Sequence, residues 1–172
     1  MRLAPVRALA KVHHQAGHGM GALPYLLSCL SQSRDKGFAA VECEASLMLA
    51  ELWLDVGPGY VSIAKRHLDS CMIAIMTDAT LEIKARTQVA HVKLALTTLS
   101  REELARDAAL LQMLGEAAEA YGLLGARKDT AEVHKLRALI FNSRGDYAER
   151  DRAAGLFRQH FGEGGADCVA VG

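Results

Sequence analysis

The sequence lacks most of what a strand-rich, secreted or membrane-spanning protein needs. Aromatic residues are 5 % of it, and it holds 3 prolines in 172 residues. Sheets draw on aromatic and β-branched side chains, so this scarcity argues against a β-rich fold. Charge of one sign is missing as well: 20 Lys+Arg face 20 Asp+Glu. A nucleic-acid binder carries a basic footprint and a membrane-surface protein a polybasic one, so neither class is expected. The longest stretch without Lys, Arg, Asp or Glu runs from Val12 to Ser33. It contains three histidines, three glycines and Pro24, and hydrocarbon would not accept it. Arg7 and Lys11 interrupt what would be the apolar part of a secretory signal. The four cysteines, Cys29, Cys43, Cys71 and Cys168, form no CxxC pair. They read as reduced thiols of cytosol or nucleus.

What is present favours helices. Apolar residues make up 51 % of the chain, with 29 Ala and 24 Leu, which excludes intrinsic disorder and suits helix. The length fits about one domain burying roughly two-thirds of its unfolded surface. Apolar residues recur at helical spacing and nowhere alternate for long. Ala85, Val89, Val92, Leu96 and Leu99 form one stripe, and Leu110, Leu114, Ala117, Tyr121 and Leu124 a second. Val41, Ala45, Met48, Leu52 and Val56 form a third. Each is one face of an amphipathic helix.

The stops and starts agree with the stripes. Gly37, Gly57, Gly125 and Gly145 each follow a helical run, where a left-handed terminal residue is favoured. Ser100 with Glu103 fits a capping box, and Asp146 with Glu149 is a similar start. The pattern predicts helices over 3–16, 22–36, 38–56, 60–77, 81–99, 101–124, 129–144 and 147–161. Taken in pairs, they repeat every ~38 to 45 residues, which favours an all-α, right-handed, tetratricopeptide-like solenoid of about four hairpins over a bundle. One repeat domain is expected over residues 1–161, followed by a flexible glycine-rich tail over 162–172. The first helix is expected to start almost at Met1 with no cap residue before it, as in a chain cut from a longer array.

Candidate chemistry is thin. His14 and His18 are four apart and could share a metal, but no carboxylate or Cys nearby completes four ligands; a polar turn is the plainer reading. Gly17, Gly19 and Gly21 alternate like a phosphate loop, yet the flanking strand and the Lys-Ser/Thr ending are missing, so an inter-helix turn is expected. The cysteines lie on or beside apolar stripes and read as small buried hydrophobes. Glu42, Glu44 and Glu51 read as helix flanks. Glu102, Glu103, Glu116 and Glu119, mixed with Arg101 and Arg106, read as solvated faces with i,i+3 or i,i+4 pairs. Trp53 and Tyr60 flank the Gly57-Pro58-Gly59 turn and are candidate partner anchors, although packing within the repeat explains them more simply. No catalytic, cofactor-binding or metal-binding set emerges. A single asparagine, Asn142, also rules out the usual carboxylate clamp of co-chaperone repeat modules.

Three blocks carry a family resemblance. Ala22 to Phe38 (ALPYLLSCLSQSRDKGF) resembles the opening of the C-terminal repeat array of anaphase-promoting complex subunit 5 proteins. Glu42 to Gly57 (ECEASLMLAELWLDVG) is similar to the next helix of that family, and Arg150 to Gln159 (RDRAAGLFRQ) to its last. Order and spacing also match, over residues 20–161. The resemblance implies a non-catalytic scaffold in the platform of a cullin–RING ubiquitin ligase that drives exit from mitosis. It implies partners in the large first subunit, the fourth subunit and neighbouring repeat subunits, with no nucleic acid, membrane, cofactor or small-molecule substrate. Residence in nucleus and cytoplasm would follow. Arg150, Arg152 and Arg158 in the last block join Trp53 and Tyr60 as candidate partner-binding residues; capping of the array would explain that block equally. The alternative is an unrelated tetratricopeptide adaptor that binds an extended peptide in its concave groove.

Overall fold

A computed structural model of the chain describes residues 19–162 together with Ala8 and Val12. The helix expected over 3–16 lies outside the described residues except at those two positions, which are helical. The expected tail lies outside them from residue 163 onward. Among the described residues the chain is all-α, with eight α-helices, one 3₁₀ turn and no strand. No helix among them is long and apolar enough to cross a membrane. The chain divides into two compact units, Met1–Ile83 and Lys84–Gly172.

The first unit contains α1 (Gly19–Lys36), α2 (Ala39–Val56), a 3₁₀ turn (Pro58–Tyr60) and α3 (Val61–Asp78). α2 packs against both α1 and α3. Ala22, Leu26, Cys29 and Leu30 of α1 meet Ala45, Met48, Leu49 and Leu52 of α2 in one apolar cluster. α3 buries a stripe of its own, Ala64, Leu68, Cys71 and Ile75. Residues 44 to 50 of α2 are all buried, more than one helical stripe can supply, as a helix covered on two sides requires.

The second unit begins inside α4 (Leu81–Thr98) and continues through α5 (Arg101–Arg106), α6 (Ala108–Leu124), α7 (Arg127–Arg144) and α8 (Tyr147–Gly162). Ala85, Val92 and Ala95 of α4, Leu104 of α5, Leu110, Leu114, Ala117 and Tyr121 of α6, and Val133, Leu136 and Ile140 of α7 share its core. α8 packs on α7.

The glycine stops take the expected form at three turns. Gly37, Gly125 and Gly145 have φ of 69°, 65° and 74°. The amide after each reaches back across the helix end: Phe38 to the Ser33 carbonyl, Ala126 to Tyr121, and Asp146 to Phe141, at 2.8, 2.9 and 3.0 Å. This is the Schellman closure, in which a left-handed residue satisfies the last free carbonyls. Gly57 differs, with φ 133° and ψ −179°. That fully extended, glycine-only conformation leads into the 3₁₀ turn rather than closing a Schellman motif. The Ser100–Glu103 capping box forms in both directions. Asp146 accepts the Glu149 amide at 3.2 Å.

Two expectations need correction. The helix expected over 101–124 is broken at Asp107, whose backbone turns extended at φ −79° and ψ 95°. Its carboxylate caps the Ala109 amide at 3.0 Å, a local bond that competes with continuing the helix. Gly19 and Gly21 also lie inside α1 rather than in a turn. Burial of Ala22 at the head of the α1 stripe holds the early turns helical despite the cost of glycine.

Two arginines tie the break to α7. Arg144 donates to the Asp107 carbonyl at 2.7 Å. Arg101 donates in return to the Ser143 and Asn142 carbonyls at 3.2 and 3.4 Å, where the helix end favours a cation. Removing the buried Leu114 side chain (Leu114→Ala) should destabilise the second unit by ~2–5 kcal/mol. Arg144→Ala should cost about 1–3 kcal/mol through the carbonyl it strands. Urea unfolding followed by circular dichroism checks both. A Leu114→Ala midpoint equal to that of the parent would contradict the assigned core.

Candidate functional site

The sequence-predicted residues fall in two places. Trp53, near the end of α2, packs beside the first-unit core. Its indole stacks on the Tyr60 ring, with centroids 5.0 Å apart and planes 18° apart. The extended Gly57 and the 3₁₀ turn bring the two rings together. Tyr60 keeps 42 % of its surface exposed, so the pair presents an aromatic edge on a packed base.

The arginines of α8 are engaged mainly along their own helix. Arg150 lies over the Tyr147 ring at 4.9 Å and pairs with Asp151 at 2.7 Å. Arg152 pairs with Glu149. Arg158 is exposed, and exposed Leu156 and Phe161 share its helix. Phe157 stacks on Phe161 at 5.4 Å. The aromatic pair belongs to the first unit and the arginines to the second.

The sites weighed for chemistry have structural surroundings. Among the described residues, no group of three or more His, Cys, Asp or Glu side chains is placed to hold a metal ion. His14, His18, Gly17 and Cys168 lie outside the described residues. Cys29 and Cys71 are buried and Cys43 half-buried, all as free thiols. Burial first, then the neighbouring Cys43 and nearby carboxylates, push the Cys71 thiol up to about 12, and the thiol donates to the Leu68 carbonyl. Burial and the adjacent Glu42 also raise Cys43. Nucleophilic thiols need the opposite shift.

Polar groups missed in the sequence bridge helices instead. Glu116, expected on a solvated face, accepts from Gln88 of α4 and from Gln112. Lys93 of α4 pairs with Glu132 of α7 at 3.3 Å. Glu44, expected on a helix flank, is 4 % exposed. Fold-level proximity decides these contacts, and helical periodicity carries no signal for them.

A cleft of about 460 Å³ opens within the first unit. Ala39, Ala40, Ala74 and Ala79 line it, with Val41 and Cys43 from α2, Ile75 from α3 and Ile83 from the start of α4. Four alanines leave unfilled the space that larger side chains would occupy. Glu44, Asp78 and Thr80 supply its polar lining. The concentration of small residues at 39, 40, 74 and 79 was the available sequence signal.

Two histidines take up a proton less readily than a free imidazole. His134 of α7 is buried and stacks on His160 of α8 at 5.5 Å. Its Nδ1 has no hydrogen-bond partner among the described residues. Burial, then Arg137, then His160 lower its affinity for a proton. Burial, Arg66 and Arg34 do the same to His67 of α3.

These features define an all-α, helical-repeat protein in which a few polar side chains cross between helices and an aromatic pair and an alanine-lined cleft lie open. The chain is 28 % identical over 152 residues to anaphase-promoting complex subunit 5 of Arabidopsis thaliana. The aligned stretch is 88 % of this chain and 17 % of that protein, so the chain spans about a sixth of its relative's length. That similarity supports the relationship drawn from the three sequence blocks. No family model matches the chain.

Both histidines bind protons more readily unfolded than folded. Their contribution to stability is therefore present above the unfolded pKa, about 6.5, and is lost as pH falls toward the lower folded values. The urea midpoint should drop between pH 7.5 and 5.5, and His134→Gln should flatten that dependence. An unchanged slope in the variant would show that His134 does not carry it.

Proposed function

We propose that this chain acts as a non-catalytic scaffold element of the anaphase-promoting complex, a cullin–RING ubiquitin ligase. The supporting observation is the similarity to subunit 5 across 88 % of the chain, on an all-α fold of tandem hairpins. The mechanism is positional. Helices packed within each unit hold that unit's outer surfaces in place, and partners dock on them. The platform partners proposed are the large first subunit, the fourth subunit and neighbouring repeat subunits, met in nucleus and cytoplasm during mitosis.

The contact residues proposed are Tyr60 on its Trp53 base and the α8 arginines, Arg150, Arg152 and Arg158. Arg158 is the best placed of the three, because Arg150 and Arg152 hold intrahelical partners while Arg158 is exposed on the helix that also exposes Leu156 and Phe161. An arginine beside exposed apolar and aromatic groups is a common binding anchor.

Affinity purification of the tagged chain from mitotic cells tests this reading. The cullin, the RING subunit and the platform subunits should be recovered. Arg158→Glu should reduce their recovery several-fold with the helical content unchanged. Recovery of a reproducible, unrelated set of proteins in their place would reject the scaffold assignment.

A further inference from the structure

The cleft at the head of α2 has a chemistry of its own, independent of the scaffold reading. Its walls are low because Ala39, Ala40, Ala74 and Ala79 line it, and Ile75 and Ile83 give it aliphatic depth. At about 460 Å³ it accommodates one or two aliphatic side chains and sits toward the small end of ligand pockets. Phe38 and Leu81, which adjoin the lining in sequence, are 50 % and 46 % exposed, so apolar surface continues beyond the cleft. A surface of this extent suits a polypeptide segment better than a compact small molecule.

The charge of its lining is of one sign. Asp78 and Glu44 are lining residues, and no Lys or Arg is among the lining. Glu82 lies in the first turn of α4, next to Ile83. Glu42, in the first turn of α2, is already paired with Arg34 at 2.8 Å. The helix N-termini here would favour an anion, but Glu42 and Glu82 already supply carboxylates to those first turns. The exposed Asp78 carboxylate is therefore left to select a cation.

We propose that this cleft docks a partner segment carrying one or two aliphatic side chains next to a Lys or Arg. The aliphatic groups enter between the alanines against Ile75 and Ile83, and the cation pairs with Asp78 at the rim. Apolar insertion supplies the affinity, and the charge pairing supplies orientation and selection against acidic segments.

The chain has five isoleucines, Ile63, Ile73, Ile75, Ile83 and Ile140, so δ1-methyl labelling reads the cleft against internal controls. The probe is the blocked pentapeptide Lys-Leu-Val-Leu-Lys, titrated into the full chain, with the Glu-for-Lys peptide as comparison. Saturable shifts of Ile75 and Ile83, with Ile63 and Ile140 unmoved, are expected from the basic peptide only. Asp78→Lys, at an exposed position, should weaken binding at least fivefold. Ala40→Phe should fill the cleft and abolish binding, while unchanged Ile63 and Ile140 signals report an intact fold. Absence of a saturable shift at millimolar peptide overturns the proposal. So does equal or tighter binding of the acidic peptide, or binding that survives Ala40→Phe.

Discussion

Helix length is the constraint on which the architecture rests, and three left-handed glycines help to set it. At Gly37, Gly125 and Gly145 the chain stops, satisfies its last carbonyls with the next two amides, and re-enters a helix within two or three residues. α1, α2, α3, α4 and α7 each run 18 residues, about 27 Å at 1.5 Å per residue. Equal lengths and short turns leave each helix one economical partner, its sequence neighbour laid back alongside it. A hairpin made this way keeps an apolar face open until another helix covers it, which is why α2 is buried on two sides and why the second-unit core draws on four helices.

Stripes decide that helices pack, and polar crossings help to decide where. The α5–α7 contact is fixed by reciprocal arginines, each donating to carbonyls near the end of the other helix or just past it. α4 is tied to α6 through Gln88 and Glu116, and to α7 through Lys93 and Glu132. A buried apolar seam tolerates sliding by a turn at modest cost. A hydrogen bond from a side chain to a particular carbonyl does not, because a slip leaves both groups unpaired. The ion pair at Lys93 is half-exposed and contributes little to stability by itself.

Much of this was legible in the sequence, because local rules and the fold agree. The stripe from Ala85 to Leu99, the Ser100–Glu103 box and the glycine stops all encode structure within a few residues of themselves. The break at Asp107 was hidden for a different reason. An aspartate inside a continuous apolar pattern reads as a helix flank, and the arginine that engages its carbonyl lies 37 residues away. Glu44 was hidden in the same way: its burial follows from α2 being covered on two sides, which no window of local sequence reports. The aromatic pair was half legible. The residues around the Gly57 turn were visible, while their mutual stacking depends on the unusual backbone of that glycine.

The same division explains why function is harder to read here than fold. A helical-repeat chain spends its strongest sequence signals on internal packing, and any surface for a partner is what packing leaves over. The alanines of the first-unit cleft illustrate this. Within their own helices they are good helix formers with no message. Only when α2, α3 and the start of α4 meet do they become a cavity with aliphatic depth and a carboxylate at its edge. A binding surface assembled from absent side chains leaves a composition trace, small residues in two separated stretches, but no motif. Where a scaffold recognises partners by such surfaces, its specificity resides in geometry between helices rather than in any contiguous run of residues.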